Sequence, residues 1–325
     1  MVRPIKYLYF ILTALLLASC YHEIDLDKYK EAEGEDLLTI NSIINPDSTV
    51  AVSATRTFFF SDVHNEREYV SGLEIELYIN SEFKEKMHYN PQTKLYESFT
   101  YPAQEDQVTL NTEFKNQEIE ASDILPKSVE IESIEAGRQG PMAIYTASDY
   151  LFTYRITFTD DPDEENFYFL QYDSENEMYD VFMGERDFTY EFVFQQLAKQ
   201  VNASLPGWEP YSPNGLPFSD RGIEGKTYTL VVKEIVQGVS RLPDYKQMNR
   251  EFKLYAISKS YYNYLVSLLC NSSDDDGIHG GMIDLGIAEP QKVYSNIEGG
   301  IGILGSYALC KKVVDMFDFT GTFPE

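Results

Sequence analysis

Residues 72–80 read GLEIELYIN. On an extended chain Leu73, Ile75, Leu77 and Ile79 share one side and Glu74 and Glu76 the other, the period-two pattern of a strand with a dry face and a wet face. The alternation continues in both directions. Towards the N-terminus it starts at Leu37 and recurs in 49–60 (TVAVSATRTFFF), where Val50 and Val52 fall together. Towards the C-terminus Asn90-Pro91-Gln92-Thr93 reads as a turn, followed by short strands at 95–101, 107–114 and 117–121. Turn signals about every ten residues suit two packed sheets.

Leu125-Pro126 reads as a boundary. Beyond it Val129 and Ile131 restart the alternation, and Phe152, Tyr154, Ile156 and Phe158 line one face of a further strand. Residues 160–165 (DDPDEE) form an acidic turn, and 167–172 the returning strand. Phe188, Tyr190, Phe192 and Phe194 alternate again, although the stretch to Val201 could close as a helix. Pro206 to Asp220, with four prolines, reads as a long loop, and the wider segment 201–222 as the surface offered to a ligand or partner. Residues 226–236 and 250–257 are strands. Ser258 or Ser260 can cap a helix running to about Cys270, with Tyr261, Leu265 and Leu268 on one face. No internal repeat occurs. The chain is therefore predicted to be mostly β, with a sandwich over 37–126 and a β-rich domain with one or two short helices over 127–325.

The N-terminus sets the compartment. Arg3 and Lys6 precede an apolar run, 7–17, of 11 residues, too short for the roughly 20 residues of a membrane span and suited to a signal peptide. It ends in Leu17-Ala18-Ser19-Cys20, which reads as a lipobox. Cleavage between Ser19 and Cys20 removes residues 1–19, and Cys20 takes the lipid; the competing reading is an ordinary secretory signal that happens to precede a cysteine. Residues 20–36 are an acidic tether. Its opening, Tyr21-His22-Glu23-Ile24-Asp25, resembles signals that send some lipoproteins to the cell surface, and equally a solvated spacer. The expected location is the outer membrane, lipid-anchored, with the body facing outward or into the periplasm.

Composition narrows the partners. With 26 Lys+Arg against 53 Asp+Glu, loss of Arg3 and Lys6 leaves a mature charge of −29. Such a surface repels nucleic acid, whose binding needs clustered Lys and Arg, and leaves cationic partners open. A compartment outside the cytoplasm permits a disulfide between the two remaining cysteines, Cys270 and Cys310; two separate thiols are the alternative.

The motifs that could carry chemistry do not assemble. Gly300-Ile301-Gly302-Ile303-Leu304-Gly305 spells G-x-G-x-x-G without the flanking strand, helix and acid of a dinucleotide site, and reads instead as a strand and bend where backbones approach closely. Asp274 and Asp276 sit in a Ser-Asp-Asp-Asp-Gly stretch like part of a calcium loop, but Ile283 stands where a bidentate Glu is required; they are kept as metal candidates, as is the 160–165 turn. Ser81 and Lys84 match S-x-x-K without its partner motifs. His22, His64, His88 and His279 are not at ligand spacing. Asp47-Ser48-Thr49 resembles a short O-glycosylation sequon. No catalytic set and no cofactor are expected.

Several stretches together resemble one family: the lipobox followed by Glu23-Ile24-Asp25-Leu26; 109–126; 156–172 (ITFTDDPDEENFYFLQY); Phe218-Ser219-Asp220 with Gly225-Lys226-Thr227-Tyr228; 254–268; and 294–305 (YSNIEGGIGILG). The chain resembles the domain of unknown function 4249 family, lipoproteins of the Bacteroidota envelope. The resemblance implies an immunoglobulin-like N-terminal sandwich, a β-rich second domain, genomic company with TonB-dependent outer-membrane transporters, and no established catalytic residues. The function it implies is a non-enzymatic binding or accessory subunit of such a transporter. The alternatives are a surface glycan-processing enzyme and a structural or adhesive envelope protein.

Overall fold

A computed structural model describes residues 37–57, 68–142, 144, 149–174, 185–188, 190–201, 215–236, 249–272 and 292–314. These residues are mostly strand. The first group is β1 (Leu38–Ile44), β2 (Ala51–Arg56), β3 (Glu76–Ile79), β4 (Glu82–Lys86), β5 (His88–Asn90), β6 (Leu95–Glu97), β7 (Gln107–Phe114) and β8 (Gln117–Ile124). The second is β9 (Ile131–Met142), β10 (Asp149–Thr159), β11 (Phe167–Ser174), β12 (Glu185–Asp187), β13 (Gly215–Ser219), β14 (Thr227–Val236) and β15 (Arg250–Ile257), with helices α1 (Phe192–Val201) and α2 (Lys259–Ser272). The chain then returns through β16 (Ile297–Glu298) and the 14-residue β17 (Ile301–Val314). Among the described residues no helix is long and apolar enough to cross a membrane.

Three sheets result, with orders β13-β11-β15-β17-β1-β2-β6-β5, β12-β14-β10-β9 and β16-β8-β7-β3-β4. They enclose two apolar cores. One gathers Leu38, Ile40, Val52, Leu77, Tyr96 and Val108, the inward halves of β1, β2, β3, β6 and β7. The other gathers Phe152, Tyr154, Phe158, Tyr168, Tyr172, Phe218 and Phe252. Burying each such ring stabilises by about 1.5–3 kcal/mol, and edge-to-face pairs such as Phe158–Tyr168 (centroids 5.3 Å) add to it.

The cores separate in sequence near Pro126, but β17, within the eight-stranded sheet, runs past both of them. Its first half runs parallel to β1, from Thr39↔Ile301 to Ile44↔Ser306. Its second half runs antiparallel to β15, from Ile257↔Tyr307 to Arg250↔Val314. β16 adds to β8 through Ile297↔Ala121 and Glu298↔Glu120. Leu304 and Ile297 enter the first core, so residues from the chain's end complete the sandwich begun at Leu38. Gly302 has φ 118°, and a Cβ there would collide with the carbonyl oxygen of Ile40. The glycine run is thus a bend and strand at a close backbone approach, as its spacing indicated.

Local structure departs from the sequence reading at several points. Residues 192–201 form a helix: Val193, Phe194 and Leu197 are buried while Tyr190 and Phe192 are exposed, so the apparent 188/190/192/194 alternation carries no strand. The predicted loop up to Asp220 contains β13, whose Pro217 is tolerated because β13 is a sheet edge and needs no further ladder donor there. The strand-like EFKEK of β4 is hidden by its charges; it is an edge strand, joined to β3 by Asn80 and Ser81, both at positive φ (52° and 65°) as in a two-residue hairpin turn. Ser81 therefore serves a turn rather than chemistry. Ser258 does cap α2, its Oγ accepting from the Tyr261 N–H at 3.2 Å, but the buried stripe is Tyr262 and Val266, with Leu268 39% exposed. Tyr261 and Leu265 of the expected face pack beside it, partly buried, with Leu269 in place of Leu268.

Candidate functional site

Strand alternation sends Glu76 of β3, Asn111 and Glu113 of β7, Glu118 and Glu120 of β8 and Glu298 of β16 to the outer face of the five-stranded sheet. Register aligns them: Glu76 lies opposite Asn111, Asn111 opposite Glu120, and Glu120 opposite Glu298, a row across four strands. Glu113 lies opposite Glu118 in the next row. With Glu74 these side chains line a cleft of about 790 Å³ whose floor includes Thr112 and Ile119.

Like charges directly opposite one another destabilise a sheet, and little offsets them here. Lys86 pairs with Glu74 at 2.6 Å and lies 3.8 Å from Glu76, exposed contacts that solvent screens. The Lys86 ammonium holds the Glu74 carboxyl below its usual range through that hydrogen bond. Asn111 Oδ1 and Thr112 Oγ1 are shielded from solvent and have no hydrogen-bond partner among the described residues, and a buried unsatisfied acceptor costs about 1–3 kcal/mol. The cleft thus offers carboxylates and the orphaned Asn111 oxygen, a surface matched to ammonium or guanidinium donors. Among the described residues no three His, Cys, Asp or Glu side chains converge to hold a metal ion.

A second cavity, about 650 Å³, opens at one end of the other core beside Glu164, Glu165, Asp220, Glu224, Lys259 and Tyr262. Its acids are engaged structurally. Asp160, 1% exposed, accepts from the Tyr168 hydroxyl and, at 2.7 Å, from the Gly225 N–H. Asp220 accepts from the Asn166 N–H at 2.6 Å while its own N–H donates to the Asn166 carbonyl. Burial, helped by nearby Asp160, Glu224 and Glu165, raises the Asp220 carboxyl above its usual range. Lys259 pairs with Glu165 at 2.7 Å. The motifs at 156–172, 218–220 and 225–228 therefore meet in one hydrogen-bonded knot. The motif at 294–305 makes another: the Asn296 amide donates to the Ser122 and Leu304 carbonyls and its oxygen accepts from the Leu304 N–H.

Inside the larger core, sealed from solvent, Arg250 grips Glu234 with Nη2–Oε1 at 2.8 Å and Nε–Oε2 at 3.1 Å. The Tyr154 hydroxyl donates to the same carboxylate at 2.8 Å. Its one sequence signal is a Glu within the apolar run TYTLVVKEIV.

Of the residues singled out by sequence, Ser19, Cys20, His22, His64, Asp274, Asp276 and His279 lie outside the described residues. Cys270 and Cys310 are not bridged: Cys270 sits on α2, while the Cys310 sulfur on β17 accepts from the Ile131 N–H at 3.4 Å. His88 stacks on Phe99 with centroids 4.8 Å apart. Of the 201–222 segment, residues 215–219 are strand rather than loop. The acidic cleft was missed because its carboxylates are spread from Glu74 to Glu298.

No curated protein matches the chain in sequence. A crystal structure described as "Putative membrane anchored protein from Corynebacterium diphtheriae" aligns over 70% of this chain and 56% of its own length at 7% identity, with a TM-score of 0.21, too low to assign a shared fold. The model of a domain of unknown function, DUF4249, matches residues 22–312. Since that match takes in both cores and the knots at 160–228 and 294–305, the chain belongs to the DUF4249 family.

Proposed function

We propose that the protein is a non-enzymatic binding subunit, lipid-anchored to the outer membrane through Cys20, which serves a TonB-dependent transporter by receiving a cationic group in the glutamate-lined cleft. The observation that carries this reading is the cleft itself: six glutamates around the orphaned Asn111 oxygen. Its position supports the reading. Glu298 and Gly299 line it, and the neighbouring Gly300 lies against the carbonyl of Leu38, the first strand residue after the proposed tether. The 17 residues from Cys20 to Asp36 extend at most about 60 Å. A short tether raises the effective concentration of the cleft near a membrane partner. The transporter is what the family's genomic company implies, and the cationic partner is what the cleft's charge selects.

The test is a mild-detergent pull-down of the tagged, lipidated protein from native outer membranes, read by mass spectrometry. A TonB-dependent transporter in near-stoichiometric amount supports the accessory role. Recovery of the protein alone contradicts it and directs attention to glycan binding and hydrolysis by the body.

A further inference from the structure

One buried carboxylate sits where the two cores join. Asp123, 7% exposed on the inward face of β8, accepts from the Ser306 hydroxyl at 2.6 Å. Ser306 is the residue at which β17 passes from β1 to β15. The hydroxyls of Ser258, the cap of α2, and of Ser260 in its first turn lie near enough to Asp123 to favour its charged form. Ser258 Oγ in turn accepts from the Ser306 N–H at 3.2 Å, and the Ser258 N–H donates to the Ser306 carbonyl at 2.9 Å. A strand of the first sandwich, the shared strand and the helix cap of the second core thus close on one carboxyl group.

Among the described residues no cation compensates it. On β7 the residue opposite is Val108, and nearby Asp106 is turned to the Asn80 amide and the Ala103 N–H. Glu120 of β8 and Glu298 of β16 face the outer cleft. On α2, Lys259 is paired with Glu165, and on β17 the Tyr307 ring packs on Tyr255. Asp123 is left with neutral hydroxyls and the N-terminal end of α2, which offset the loss of water around a charge only in part.

We propose that Asp123, with Ser258, Ser260 and Ser306, is a proton-operated clamp that fastens the first sandwich to α2 and β17 more firmly in acid than at neutral pH. Burial is the main cause that raises its carboxyl to about 6, against 3.8 in water, with the Ser258, Ser306 and Ser260 hydroxyls opposing. Opening the clamp exposes the group to water and returns it to its ordinary range, so opening becomes less favourable as the pH falls from 6 towards 4.

The experiment compares thermal unfolding and amide exchange of the folded protein and its D123N and S306A variants at pH 7 and pH 5. Between those pH values the wild-type Tm is expected to rise by about 4 °C relative to D123N. Protection of amides at 259–263 and 304–307 should rise about tenfold in wild type relative to D123N. S306A, which keeps the carboxyl but removes a bond favouring its charged form, should move the midpoint of the effect to higher pH; it also serves if D123N does not fold. Parallel pH profiles for wild type and D123N, exchange changes absent from those two segments, or an unmoved midpoint in S306A would overturn the clamp.

Discussion

At the scale of single residues, the fold depends on a few polar and glycine positions whose role appears only in three dimensions. Arg250, Glu234 and Tyr154 form a hydrogen-bonded group in the apolar interior. Removing one partner leaves an uncompensated charge, so Arg250→Met should cost about 3–5 kcal/mol in denaturant unfolding. Adding Glu234→Leu and Tyr154→Phe should recover most of that loss, because an apolar set of similar volume is often as stable as a buried ion pair. A triple variant as unstable as Arg250→Met alone would show that the group's value lies elsewhere. Gly302→Ala tests the close approach of β17 to β1: a positive φ and a clash with backbone make it destabilising by more than about 2 kcal/mol, and a near-neutral result would mean that the two strands can separate at that point. For Asp123 the sign is fixed by its raised carboxyl. The folded state binds the proton more tightly than the unfolded chain, so the stabilisation is complete below about pH 4 and lost as the pH rises through about 6, amounting to about 3 kcal/mol.

At the scale of elements, alternation is legible wherever one face is apolar and the other polar. β3, β7, β14 and β15 were readable for that reason, and β15 spans the expected 250–257. Legibility fails where another constraint governs the pattern. β4 carries charges because it is an edge that must not pair; β13 carries Pro217 because its outer side has no neighbour; α1 was masked by aromatic residues that fall at even spacing though half of them face water. The pairing of β1 with β17 leaves no local trace, since its partners lie about 260 residues apart. It has a direct consequence. The fragment 37–126, which lacks β16 and β17, should show no cooperative unfolding by circular dichroism, whereas the same fragment fused to 292–314 should recover one. Cooperative folding of 37–126 alone would show that the terminal strands decorate the sandwich rather than complete it.

At the scale of the molecule, a net charge of −27 repels polyanions but does not reveal where the charge is concentrated. The family motifs were legible in the sequence; what they do was not, and in the structure they tie loops together at 160–228 and at 294–305. The cleft escaped the sequence because register, not spacing, aligns Glu76, Glu120 and Glu298 across the sheet. If that cleft is where a cationic partner docks, neutralising Glu113, Glu118 and Glu120 to Gln should leave the fold intact, and even stabilise it slightly by removing opposed charges, while weakening partner capture and its salt dependence.

The most direct measurement places a photo-crosslinking side chain at Glu118 in the cleft and, separately, at Glu251 on the eight-stranded sheet, in the lipidated protein in intact cells. The account predicts that Glu118 gives one dominant adduct with a TonB-dependent transporter, mapped to a Lys- or Arg-bearing segment, and that Glu251 gives none. Equal adducts from both positions, or a transporter adduct from Glu251 alone, would contradict it.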